Sequence, residues 1–318
     1  MRVIDFGTVT ALRSQTVWHA VCRCMRPGDE PVLSFVRPGE PYVCIGYHRD
    51  IAEVDIDYCH AQGLPVLRRM VGGGPVYCDD GQLFFQITVP AHGVPARRST
   101  ALTSLLRPAM QALRRLGVDA VLDRFSEISV GPAKVCGHGA GQLGEGVTVV
   151  GNLISGFDHD RAARVLALDD EVRAVVAELM RRYVAPTAVD PQDWKAAMVA
   201  EYSAQFDSPA RTDSLTVDET TELDRMDDRL SDADFLVGMP RPARPVRTVK
   251  VRAGVWVHDW RGEGERVIMG VADGQVEIAS GREHLVGMAL DDARLELDLE
   301  RGAAPLVSAI RAAHAEVA

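Results

Sequence analysis

Three consecutive glycines, Gly72-Gly73-Gly74, lie inside residues 67–89 (LRRMVGGGPVYCDDGQLFFQITV) and limit what the chain around them can become. A glycine triplet loses backbone entropy on ordering and packs no side chain. It therefore marks a sharp turn or a place where backbone must approach another group closely. Successive N–H groups in such a loop form an anion-binding concavity, and Arg68 and Arg69 would add fixed positive charge beside it. The competing reading is a glycine-rich hairpin turn with solvated arginines. After the glycines, residues 75–77 are β-prone, residues 78–81 form a polar turn, and residues 83–89 read as an interior strand covered on both faces.

The rest of the chain alternates strand and helix signals. A strand over 3–6 precedes a helix capped by Thr8 or Thr10 and running to about Met25. Strands over 31–36 and 42–45 flank a turn at Pro38-Gly39. A helix over 55–62 stops at Gly63, and residues 64–67 deliver the chain to the glycines. Ser99 or Thr100 is expected to cap a helix ending at Gly117, with Leu102, Leu105, Leu106, Met110 and Leu113 inward. Strands follow over 118–122, 127–130 and 147–154, then helices from Asp160 and over 190–206. Residues 215–236 read as a highly acidic helix with Leu223, Met226 and Leu230 apolar, and residues 239–245 (MPRPARP) as a stiff linker. Strands over 248–260, 266–272 and 275–279, the last two joined at Asp273-Gly274, and a helix over 304–317 complete a smaller α+β part.

Composition narrows the function classes. The 318 residues carry a net charge of −10, which argues against a general nucleic-acid binder. There is no signal-peptide pattern and no run of membrane-spanning length, so a cytoplasmic protein is expected. The six cysteines show no C-x-x-C and no zinc-type spacing with histidine, and read as reduced thiols.

A second informative stretch is residues 133–158 (AKVCGHGAGQLGEGVTVVGNLISGFD). Gly139-x-Gly141-x-x-Gly144 formally matches a dinucleotide fingerprint, but a turn and a strand follow it where a helix is required. No G-K-S/T occurs, which excludes a P-loop. Lys134 precedes this segment, read as a glycine-rich loop. The chain uses arginine for generic positive charge and has only three lysines, 134, 195 and 250. A lysine here suits a point charge that stabilises an α-phosphate or a carbonyl oxygen during acyl transfer. A surface lysine is the plain alternative.

Taken together, R-R-x-x-G-G-G-x-V-Y-x-D-x-G-x-L (68–83), K-x-x-G-x-x-A (134–140) and G-x-L (151–153) resemble the lipoate–protein ligase family of the biotin/lipoate ligase and octanoyltransferase superfamily. The resemblance implies an α+β fold. A mixed-sheet, biotin/lipoate ligase-like catalytic domain would span residues 1–206, an acidic helix and Pro-rich linker 207–245, and a small α+β accessory domain 246–318. It implies ATP, magnesium and lipoate (or octanoate), with lipoyl-AMP passed to a lysine of a lipoyl-carrier domain or lipoate-binding protein by a monomeric enzyme. Lys134 would be catalytic. Arg69, Val71, Gly72, Gly73, Gly74, Tyr77, Cys78, Gly137, Ala140, Gly151 and Asn152 would line the adenylate pocket, and Glu127 would be the magnesium ligand.

The sequence departs from the family pattern at several points. Val71 stands for Ser or Thr, Cys78 for His, Gln82 for Asn, Ser126-Glu127 for Asn-Asp and Asn152 for Thr. These departures are those of a divergent subgroup, one that would serve a specialised lipoyl carrier such as those of sulfur oxidation. Two rivals remain: an ATP-independent octanoyl or lipoyl transferase using Cys136 as thioester nucleophile, and a non-catalytic protein binding lipoate or its carrier. Biotin ligase is weaker, because the G-R-G-R loop is absent.

Overall fold

The computed structural model describes residues 1–238, 248–261 and 266–300, with only the main chain described at residues 299 and 300. The chain divides into two compact units, Met1–Ala167 with Arg181–Ala243, and Leu168–Met180 with Arg244–Ala318.

In the first unit β1 (Arg2–Val9) leads to α1 (Ala11–Cys24), which is capped by Thr10 accepting from Arg13 N–H. Then come β2 (Val32–Pro38), β3 (Tyr42–Ile45), α2 (Ile56–Ala61), β4 (Val66–Arg68), β5 (Val76–Cys78) and β6 (Gln82–Pro90). β2 and β3 do not form the hairpin expected from Pro38-Gly39. β2 pairs with β1 and β6, whereas β3 is the centre of a separate three-stranded sheet between β4 and β5. Every residue of β6 is buried, as its apolar run required.

α3 (Arg98–Arg115) begins at Arg97 with no side-chain cap; neither Ser99 nor Thr100 caps it, because both already lie inside its first turn. The chain continues through β7 (Val121–Leu122), β8 (Ile128–Val130), β9 (Ala133–Leu143) and β10 (Gly146–Ile154). β9 is the largest correction to the sequence reading. The segment expected as a glycine-rich loop is a strand of 11 residues, paired with β10 from Cys136 to Leu143. α4 (His159–Arg164) and α5 (Asp170–Tyr183) divide what read as one helix from Asp160. α6 (Pro191–Phe206) is capped by Asp190 with Pro191 in its first turn. β11 (Arg211–Thr212), α7 (Val217–Ser231) and α8 (Ala233–Val237) follow.

The main sheet runs β11-β1-β2-β6-β10-β9-β8-β7. One face buries Leu33, Phe35, Leu83, Phe85, Ile87, Cys136 and Leu153 against Leu105, Leu106, Leu113, Trp194, Met198 and Tyr202 of α3 and α6. The other face receives α1, the three-stranded sheet and α7. The acidic α7 is therefore docked. Leu223, Met226 and Leu230 are buried, and Arg2, Arg13, Arg23 and Arg26 meet Glu219, Asp224, Asp227, Glu222 and Asp218. The exposed pairs among these contribute about 0–1 kcal/mol each and a buried leucine or methionine about 1.5–3 kcal/mol, so the apolar stripe is the main seat of the helix.

The second unit is a meander of β12 (Thr248–Arg252), β13 (Val255–Arg261), β14 (Arg266–Ala272) and β15 (Gln275–Ala279), followed by α9 (Leu290–Glu300). Residues 248–260 form a hairpin turning at Gly254 (φ 80°) instead of one strand. Asp273 and Gly274 take φ of 51° and 83°, as a tight hairpin turn demands. Residues 168–180, most of α5, complete this unit. A Cβ on Gly270 would lie 3.2 Å from Leu179 Cδ1 and 3.3 Å from Val175 Cγ1, and Arg266 joins Asp259, Asp169 and Glu171. The expected linker at 239–245 and helix at 304–317 lie outside the described residues.

Candidate active site

β4 hands the chain to the glycine loop through two arginines with different tasks. Arg69 Nη1 donates to Cys44 O (2.9 Å), Nη2 to Gly72 O (2.9 Å) and Gly74 O (3.0 Å), and Nε to Gly72 O (3.2 Å). Its guanidinium gathers the carbonyl side of the loop. Arg68 is not the second exposed charge expected beside the loop; it is 2% exposed and bonded to main-chain carbonyls of residues 46, 47, 49, 236 and 237.

Among the described residues, no protein acceptor takes the N–H of Gly72, Gly73 or Gly74, and Gly72 and Gly73 are exposed. Three adjacent donors, with Arg69 on the carbonyls of Gly72 and Gly74, are left open to solvent, an arrangement able to accept an anion. Gly73 has φ of 107°, and a Cβ on Gly46 would stand 2.0 Å from Gly73 O, so both positions require glycine. At the base of the loop, Met70 N–H donates to Nε2 of His19 (3.0 Å), while His19 Nδ1 donates to Gln15 O (2.6 Å). Burial drives the pKa of this ring down to about 3, so the imidazole is neutral. The helical pattern of α1 did not single out His19, and neither His19 nor Gly46 was visible as a support for the loop.

The loop lies over one face of β9. Val71, buried at 3% exposure, meets two glycines there: a Cβ would be 3.6 Å from it at Gly139 and 2.6 Å at Gly141. Gly137 shares this face, and its N–H donates to Oδ1 of Asn152 (3.0 Å). Asn152 Nδ2 donates to Gln82 Oε1 (2.6 Å), and Gln82 Nε2 to Tyr77 O (3.3 Å). Between Cys136 and Lys134 the pairing with β8 shifts, leaving Val135 as an extra residue. Val135 and Cys136 consequently both enter the core, and Lys134 turns to the face of Gly137, Gly139 and Gly141. From Lys134 to Gly139 the strand covers about 15 Å at its usual rise, so the lysine and the loop stand apart along one face.

Lys134 is not an exposed loop residue. Its side chain is 17% exposed, and Nζ lies 3.9 Å from Glu127 Oε1. Glu127 follows Ser126, a non-glycine residue at φ 61°, in a turn whose N–H groups at Phe125 and Glu127 donate to Asp123 Oδ1. Among the described residues no group of three or more His, Cys, Asp or Glu is placed to hold a metal ion. The described residues build no cage; they would suit an ion carried by a triphosphate with one carboxylate, such as Glu127.

Several expected lining residues lie elsewhere. Ala140 pairs with Val149 and packs on the core, and Gly151 lies under the Phe85 ring, 2.3 Å from where its Cβ would be. Both belong to the face opposite the loop, because alternation sends neighbours of Gly137, Gly139 and Asn152 through the sheet. Cys78 is buried with Tyr42 and Cys44. The Tyr77 ring is 5% exposed; burial pushes its hydroxyl up to about 12, and Arg161 of α4 opposes that shift. Tyr77 reaches the site through its carbonyl. Cys136 points into the core, where burial pushes the thiol up to about 12 despite Lys134 nearby. A thiol so placed is no nucleophile.

The family model described as "Lipoyl protein ligase A/B catalytic domain" matches residues 11–203. The chain is 28% identical over 245 residues to lipoate-protein ligase A subunit 1 of Thermoplasma acidophilum, covering 70% of this chain and 90% of that one. It is 31% identical over 144 residues to lipoate–protein ligase 1 of Staphylococcus aureus, covering 45% of this chain and 43% of that one. Among solved structures, a bi-partite archaeal lipoate protein ligase from Thermoplasma acidophilum superposes with TM-score 0.70 at 25% identity, covering 76% of this chain and 98% of that one. A lipoate-protein ligase A bound with ATP gives 0.65 at 23% identity over 74% and 98%, which shows the shared fold. Among the described residues no helix is long and apolar enough to cross a membrane. With the match extending over more than half of its length, the chain belongs to the lipoyl protein ligase A/B catalytic-domain family.

Proposed function

We propose that this protein is an ATP-dependent lipoate–protein ligase. The observation that carries the reading is the pairing of an open cradle of N–H groups at Gly72–Gly74 with Lys134, both over the same face of β9. In the first step a lipoate carboxylate oxygen attacks the α-phosphorus of ATP, forming lipoyl-AMP and releasing pyrophosphate. In the second, the ε-amine of a carrier lysine attacks the lipoyl carbonyl, forming the amide and releasing AMP. Glycine N–H groups hold phosphate oxygens, and the Lys134 ammonium stabilises the charge gathered on the α-phosphate and then on the carbonyl oxygen. Glu127, the carboxylate beside Lys134, would hold a magnesium ion arriving with ATP, which would supply neutralisation of phosphate charge. The homologous archaeal ligase is described together with its E2 lipoyl domain, and a carrier of that class supplies the acceptor lysine.

The transferase alternative draws no support from Cys136, whose thiol faces the core on the far side of the sheet. The test is mass spectrometry of a lipoyl-carrier domain after incubation with this protein and lipoate, with and without ATP and magnesium. Lipoylation only with ATP is expected. Transfer from an acylated carrier without ATP would overturn the ligase reading.

A further inference from the structure

Arg68 has a second consequence beyond leaving the anion cradle to its neighbour. Its Nη1 donates to Gly46 O (3.1 Å), Tyr47 O (3.2 Å) and Arg49 O (2.7 Å), while Nε donates to Leu236 O (2.9 Å) and Nη2 to Val237 O (3.2 Å). The first three carbonyls belong to the turn after β3 and the last two to the end of α8. α8 has only five residues, too few to hold its own terminus, so its last carbonyls depend on this guanidinium. Gly238 follows with φ of 69°, and a Cβ there would lie 3.3 Å from Cζ and Nη2 of Arg68. The planar fork thus holds two pieces of backbone in one fixed relation, which a lysine point charge cannot do.

The turn at 46–49 is in turn locked to the cradle. Tyr47 N–H donates to Val71 O (2.9 Å), and Gly46 approaches Gly73 O to the limit that glycine allows. The Tyr47 ring faces Phe235 of α8, with centroids 6.3 Å apart. Contacts therefore run without a gap from α8 through Arg68 and the 46–49 turn to Val71 and Gly73.

We propose that Arg68 is a positioning residue that makes the seating of α8 a condition for the shape of the Gly72–Gly74 cradle. The inference rests on the ligase reading for its activity test, though not for its structural one. With α8 seated, the turn presses on Gly73 and the three N–H groups converge. With α8 displaced, Arg68 loses two of these carbonyls, the turn relaxes and phosphate binding weakens.

The test is a double-mutant cycle on lipoyl-AMP formation with Arg68→Lys, Gly238→Ala and the pair, together with hydrogen exchange of residues 46–49 and of 69–70, whose N–H groups donate to Ile45 O and His19 Nε2 at the base of the loop. Each single variant should raise KM for ATP about tenfold with kcat within about threefold, and the pair should be no worse than the poorer single, because both break one path. Effects that multiply would overturn the coupling, as would an unchanged KM with only the active fraction reduced. If the parent forms no lipoyl-AMP, the ligase reading fails and hydrogen exchange decides the coupling alone. Faster exchange at both segments in Gly238→Ala supports it, and unchanged exchange refutes it. Should Arg68→Lys fail to fold, the same measurement on Gly238→Ala remains decisive.

Discussion

Val71 and Gly141 meet so closely that a Cβ on the glycine would lie 2.6 Å from Val71 Cγ1, whereas at Gly139 the corresponding distance is 3.6 Å. The glycines of β9 are therefore unequal. Gly141→Ala should displace Val71 and with it the cradle, at about 1–3 kcal/mol of overpacking strain, and lower adenylate formation sharply. Gly139→Ala should be near parental in both melting and pyrophosphate release. Adding Val71→Ala to Gly141→Ala should restore much of the loss; no restoration would show that the strand, not the loop, was damaged.

Lys134→Ala should remove charge stabilisation from both half-reactions and reduce lipoyl transfer by about 10²–10³-fold, in the range seen when one such donor is lost. The side chain is 17% exposed, so some stem packing is lost as well, but unfolding should shift by only about 1 kcal/mol. Denaturant titration beside the carrier-modification assay separates the two. A variant with parental transfer would remove Lys134 from the site.

Cys136→Ala should keep ATP-dependent transfer, because the thiol lies in the core with its ionisation suppressed. Native protein should also resist alkylation at this position until it unfolds. Abolished transfer in a folded Cys136→Ala protein would revive the thioester route.

His19 links stability to pH. Its folded pKa of about 3, set by burial with Arg23 and Arg69 adding to it, lies below the ordinary value of 6.5. The unfolded chain then binds the extra proton between those values, so the stabilisation is complete above pH 6.5 and is lost as pH falls below it. Between pH 7.5 and 5.5 this group should account for about 1 kcal/mol of lost stability. Urea titrations of the parent and His19→Gln at the two pH values check this. The variant should show a correspondingly smaller difference, and an equal pH dependence would mean that His19 does not carry the effect.

The helices and interior strands were legible because their patterns are strong. Thr10 capped α1 as expected, Asp190-Pro191 opened α6, and the apolar run after Gly81 became β6. β9 was hidden because glycine weakens both strand and helix signals. Yet Gly137, Gly139 and Gly141 recur at the period of a strand, the trace left when one face must stay bare for Val71 and its loop. The site motifs pointed to Lys134, Arg69 and the triplet, which the structure places about one face of β9. They could not say which face of a sheet each residue takes, so Ala140 and Gly151 were assigned to a wall they do not line. Nor could adjacency distinguish Arg68 from Arg69, whose tasks differ because strand alternation sends one inward.

The placement of residues 168–180 in the second unit bears on the timing of synthesis. Val172, Val176 and Leu179 of α5 are buried, but the strands that this helix packs with begin at Thr248, roughly 70 residues later. At a translation rate of about 5–20 residues per second, the helix leaves the ribosome several seconds before its sheet exists. During that interval a nascent chain carries a bare aliphatic stripe in its middle. The same dependence means that the chain cannot be cut into two separately produced proteins near residue 240 without stranding that stripe on the wrong fragment.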